Sequence, residues 1–176
     1  MSTRSTIALH LPDDSYKVIY CHSDGYLTHN GAMLIDHYNT REKVEELIKL
    51  GDLSCLEKNI NPDPTKPHSF DYENRQDDVC VAYGRDRGES DVDAKIMSLD
   101  EMLQNSWIEY FYVFTHDNEW KFYDCENLEL MKDLQQELDK TYKDMGIKRP
   151  DDYYGFWTQD SIAREKKKQN TSEGEM

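Results

Sequence analysis

The chain has 176 residues with 36 acidic and 21 basic side chains, a formal net charge of −15. That length encloses a single core, and 37% hydrophobic with 11% aromatic residues describes a globular interior leaning on Tyr, Phe and Trp rather than a disordered chain. The charge argues against direct binding of DNA, RNA or an anionic membrane through a basic patch, and no run of about 18 apolar residues offers a bilayer span.

In chain order, residues 6–11 (TIALHL) and 16–21 (YKVIYC) alternate as strands around Pro12, Asp13, Asp14 and Ser15, which predicts a β-hairpin. The start, MSTRSTI, lacks the apolar stretch of a secretory signal, so the expected location is the cytoplasm. Gly25 and Gly31 bracket a turn-rich block before a short helical segment at residues 32–37. Asn39 and Thr40 then cap a helix reaching Leu50, with Val44, Leu47 and Ile48 on one face and Gly51 as its stop.

Pro62, Pro64 and Pro67 make residues 59–78 a long surface connection. Residues 79–83 (VCVAY) have strand character, and residues 84–91 read as a polar loop bounded by Gly84 and Gly88. Ser98 and Glu101 form a capping box that opens a short helix. Residues 108–115 are apolar on both alternating faces, as in a central strand, and residues 116–119 turn it back into residues 120–123. Met131, Leu134, Leu138, Tyr142 and Met145 recur at three- and four-residue steps, so a helix is expected from just after Asp124 to about Asp144, stopped by Gly146.

The fold expected from this pattern is α+β, with a mainly antiparallel sheet of about five strands flanked by helices. Residues 1–146 form one domain. Residues 147–176 form a C-terminal extension in which the aromatic segment Tyr153, Tyr154, Phe156 and Trp157 docks on the domain or a partner, and the polar run from Arg164 is frayed or disordered.

Four widely spaced cysteines, Cys21, Cys55, Cys80 and Cys125, contain no Cys-x-x-Cys pair and read as buried free thiols in a reducing compartment. His22, Asp24, His29 and His37 lie close in sequence, yet their spacings match no established metal-ligand pattern and suit a hydrogen-bonded turn. No nucleophile elbow or phosphate-binding glycine loop is present, and no motif calls for a cofactor or metal. Gly84, Arg85, Arg87 and Gly88 could form an anion pocket, two guanidiniums with glycine-released amides suiting a phosphate or carboxylate. The competing view is an exposed turn with local ion pairs. Residues 71–146 hold 20 acids against 8 bases, beyond what solubility requires, so a basic protein surface is the natural partner. Asp77, Asp78, Asp86, Glu89, Asp91 and Asp93, with the aromatic segment, are the candidate partner-binding residues, and such acids could mimic the charge of a nucleic-acid backbone.

The blocks MSTRSTIA, YCHSDGYL with Asn30 and Gly31, GDLS at residues 51–54 and VAYGRDRG at residues 81–88 resemble a family of small proteins of tailed bacteriophages and prophages, over roughly the first ninety residues. The resemblance carries no activity or catalytic residues and implies a context, the cytoplasm of an infected bacterium, where small acidic accessory proteins commonly bind and inhibit host or defence proteins. The favoured function is accordingly non-enzymatic binding of such a protein. Two alternatives are a small-ligand or nucleotide-binding module using Arg85 and Arg87, and a small hydrolase using residues 22–37.

Overall fold

In a computed structural model that describes residues 2–174, the N-terminal hairpin lies at the centre of the sheet. Strands β1 (Ser5–His10) and β2 (Tyr16–Cys21) pair antiparallel, with Ile7 opposite Ile19. A five-residue π-helical turn, Leu27–Gly31, leads into helix α1 (Ala32–His37). Helix α2 (Arg41–Lys49) opens where expected, the Thr40 side chain accepting from the Lys43 N–H. Gly51 ends this segment at φ +83°, and a Cβ there would lie 2.6 Å from the Val92 carbonyl oxygen, so the position takes glycine on both counts.

β3 (Leu53–Cys55) runs parallel to β2, and β4 (Val81–Ala82) pairs antiparallel with β3. Helix α3 (Tyr83–Arg87) follows at once, ended by Gly88 at φ +71°. β5 (Lys95–Met97) adds to β2, and helix α4 (Leu99–Leu103) opens on the reciprocal Ser98 and Glu101 capping box. β6 (Tyr110–Phe114) lies parallel to β1 with Ile7 opposite Tyr112, and β7 (Trp120–Asp124) and β8 (Asn127–Asp133) complete the order β4-β3-β2-β1-β6-β7-β8. Helix α5 (Leu134–Met145) and helix α6 (Gln159–Gly174) follow.

The α+β class and both hairpins match the sequence reading, but the sheet is mixed and has eight strands. The difference lies in β1 with β6 and β2 with β3, parallel pairs between segments distant in sequence. Three further corrections concern local structure. Residues 84–87, expected as loop, complete α3. The expected helix after Asp124 is preceded by β8, and helix begins only at Leu134, where the Asp133 side chain accepts from the Gln136 N–H. The polar run from Arg164 to Gly174 lies in α6, and the Gln169 side-chain amide accepts from the Lys148 N–H at 3.0 Å and donates to the Lys148 carbonyl at 2.8 Å. Residues 175–176 of the expected tail lie outside the described residues.

Because side chains alternate across strands, β6 is buried on both faces. On one face Ile7, Leu9, Ile19, Tyr112, Phe114, Trp120 and Phe122 pack against Leu34, Leu47, Ile48 and Leu134 from the helices. On the other, Ala8, Val18, Phe111 and Val113 pack under Met102 of α4. Among the described residues no helix is long and apolar enough to cross a membrane.

Candidate interaction surface and side-chain clusters

The Arg85 guanidinium turns inward. It donates to the Ile60 and Cys80 carbonyls at 2.7 and 2.9 Å and to both oxygens of Asp86 at 2.9 and 3.0 Å. Asp86, whose side chain is only 4% exposed, also accepts from the Ala82 N–H at 2.8 Å, and His68 lies 3.6 Å away. This cluster closes α3 onto the strand before it, so Arg85's donors and the Asp86 carboxylate are committed internally. Arg87 is partly exposed, pairs with Glu89 at 2.9 Å and sits over Phe70 and Tyr83. Gly84 belongs to the helix and Gly88 is its C-cap, so the four positions do not form a glycine-released anion loop.

Within residues 22–37, Asp24 and His29 approach to 4.0 Å, while His22 and His37 are held by other partners. Tyr20 Oη lies 2.8 Å from His22 Nδ1. Buried His29 donates from Nδ1 to Asn30 Oδ1 at 2.8 Å, and Asn30 Nδ2 donates to Ser5 Oγ and the Ser23 carbonyl, each at 3.2 Å. Gly25 is required here because a Cβ would stand 2.8 Å from the Thr3 carbonyl oxygen. The block is a polar brace that fastens the π-helical turn to the strand ends.

His37 belongs to a different cluster. Tyr154 Oη donates to Asp36 Oδ2 at 2.7 Å and accepts from His37 Nε2 at 2.8 Å, while Arg149 grips Asp36 with two 2.8 Å bonds. Burial pushes the Asp36 carboxyl up, but the Arg149 and Tyr154 hydrogen bonds outweigh it and hold the group below its ordinary range. The aromatic segment is thereby docked internally. Thr28 Oγ1 donates to the Gly155 carbonyl at 2.7 Å, and Tyr154 and Trp157 pack beside Leu138, Tyr142 and Ile147. Phe156 is the exception, at 67% exposed.

Cys21, Cys55 and Cys80 are buried as expected, whereas Cys125 is exposed in the turn after β7. Burial pushes the Cys21 thiol up to about 12 and Cys55 up to about 11, leaving both protonated and poor as nucleophiles.

The candidate acids fall into two groups. Asp77, Asp78, Glu89, Asp91 and Asp93 are exposed near β4 at one edge of the sheet. The second group belongs to residues 109–146, with ten acids against four bases, and includes the opposite edge at β8. The negative middle of the chain is thus spread over the β4 edge, the turn between β6 and β7, the β8 edge and α5.

At the β8 edge, Lys121 and Lys132 are occupied by Asp133 and Asp124 at 2.7 and 3.1 Å. Glu126 and Glu129 are exposed and make no ion pair among the described residues. Residues 127–131 are all exposed, including Leu128, Leu130 and Met131, the last two at 51% and 44%. β8 lies at the sheet edge, and its pairing with β7 shifts register between Phe122 opposite Lys132 and Asp124 opposite Asn127, so residues 128–131 bulge from the ladder with apolar side chains in solvent. An exposed apolar edge of this kind is a place where another chain can attach. The sequence reading missed it because it assigned these residues to a helix. The alternation Leu128, Glu129, Leu130 was the available signal.

Comparison with known protein families, with curated proteins and with solved structures finds no match.

Proposed function

We propose that this α+β protein is a non-enzymatic binding module whose β8 edge receives a basic protein partner, with strand addition as the means of attachment. The exposed β8 edge carries this reading, since it joins an outermost, bulged strand to the exposed Leu128, Leu130 and Met131 and to Glu126 and Glu129, which make no ion pair among the described residues. Main-chain hydrogen bonds would supply affinity, the apolar side chains buried area, and the acids would steer and select a basic partner. The second acidic edge, with Asp77, Asp78, Asp91 and Asp93, would extend the same preference to a partner large enough to reach it. A protein that itself handles nucleic acid has the required surface charge, and the resemblance to a family of small phage proteins puts host or defence proteins among the partners to expect.

The inward Arg85 fork gives the nucleotide-binding reading no open clamp, and the self-paired residues 22–37 give the hydrolase reading no assembled acid, base and nucleophile.

The test is affinity capture from bacterial lysate with the parent protein and with Leu128→Lys/Leu130→Lys, at 0.1 M and 1 M salt. The screening length falls from about 10 Å to about 3 Å over that range. A partner held by the parent at low salt, released at high salt and not held by the variant is the expected result. Equal capture in all four arms overturns the reading.

A further inference from the structure

At the end of the sheet where β1 and β6 both finish, three potential metal ligands from two separate turns come together. The parallel register sets Leu9 opposite Phe114, so the chain leaves β1 through His10 and leaves β6 toward His116 at the same level. The two imidazoles stack with centroids 3.8 Å apart and planes 7° from parallel. Asp14, in a left-handed conformation at φ +67°, folds its carboxylate back to within 3.1 Å of His10 Nε2. One ligand atom each from His10, Asp14 and His116 lies within 4.8 Å of the others.

The geometry points to a divalent transition-metal site formed by His10, Asp14 and His116, with the remaining coordination open to water. Two imidazoles and a carboxylate are the donor set of an open zinc centre and suit copper and nickel equally. A tetrahedral ion with bonds of about 2.0–2.1 Å sets its ligand atoms roughly 3.3 Å apart. His10 and Asp14 already stand at that separation, and the His116 ligand atom, within 4.8 Å of both, closes the remainder by a shift of its exposed turn. His116 is also oriented from behind. The Leu11 carbonyl lies 2.7 Å from Nε2 and can only accept, so Nε2 carries the proton and Nδ1 keeps its lone pair. A backbone carbonyl fixing the tautomer in this way is a common support of metal-bound histidines.

The turns that carry the site also carry Asp13 and Asp117, both exposed, while the neighbouring Arg41 is partly spent on Glu45 at 3.7 Å and on the His10 carbonyl at 3.1 Å. Coordination through His10 Nε2 requires that nitrogen to be bare, so in the neutral ring the proton facing Asp14 moves to Nδ1. Bound metal would cross-link the turns of the two hairpins.

The experiment is a calorimetric Zn2+ titration of the folded full chain carrying Cys125→Ser, which removes the exposed thiol as a competing ligand. One equivalent is expected to bind, with affinity falling at least about tenfold in His10→Ala, His116→Gln and Asp14→Ala. His116 is exposed, so His116→Gln decides the matter if His10→Ala fails to fold. No binding by the parent, or unchanged binding by the folded histidine variants, overturns the site.

Discussion

Trp157 donates its indole N–H to the Tyr142 hydroxyl at 2.9 Å, and the two rings meet edge to face at 88°. This contact fastens the extension to α5. Trp157→Ala is expected to destabilise the protein by about 2–3 kcal/mol, below the range for a fully buried Trp because the side chain is partly exposed. Trp157→Phe keeps most of the packing and should cost about 1 kcal/mol for the lost hydrogen bond. Phe156→Ala, one position away and mostly exposed with an edge-to-face contact to Tyr26, should cost less than about 1 kcal/mol. Urea unfolding of the three variants checks the ordering.

Arg85→Ala leaves the buried Asp86 carboxylate without its guanidinium, and a loss of about 2–4 kcal/mol is expected. Arg87→Ala should cost less than about 1 kcal/mol, as an exposed pair does. Equal melting temperatures for the two variants would contradict the inward placement of Arg85.

Glu57 carries a pH dependence. Burial, with Asp78 and Asp24 adding to it, pushes its carboxyl up to about 7. A folded-state value above the unfolded one means that the native chain holds the proton more tightly. The resulting stabilisation is complete below the unfolded value of 4.5 and is lost as pH rises through about 7. Glu57→Gln is neutral throughout, so it should be more stable than the parent at pH 8 by on the order of 1–3 kcal/mol and close to it at pH 4.5. Denaturation at the two pH values reads the difference directly.

Leu130→Lys should leave folding stability within about 0.5 kcal/mol, because the side chain is exposed and a lysine on an edge strand is well tolerated. The same substitution should weaken partner capture. A large fall in melting temperature would show instead that Leu130 packs within the protein.

Legibility from the sequence followed the range of the interactions. Thr40 with Gly51, the Ser98 and Glu101 box, and Gly146 are devices acting within a few residues, and each stands where the residue types placed it. The helix expected after Asp124 was placed too early for a local reason as well. Leu134, Leu138 and Tyr142 are helical and buried, but Met131 joins their period by coincidence, and Asp133 with Gln136 marks the true start. The site residues were harder. Arg85 and Asp86 are adjacent, but the Ile60 carbonyl that draws Arg85 inward is 25 positions away. His10 and His116 meet only because β1 and β6 pair in parallel, a contact that no periodicity encodes.

That parallel pairing also has a consequence for the order of assembly. Each hairpin closes over a few residues and can form within microseconds, yet the strands joining them, β1 and β6, are separated by about a hundred residues of chain. Loop closure grows only slowly with length, but it is spent before the contact returns anything, and non-local pairings of this kind slow folding. During synthesis the first hairpin therefore emerges with Ile7 and Leu9 uncovered on one side and Ala8 on the other, and it waits for Phe111, Tyr112 and Phe114 to arrive before its central edge is closed.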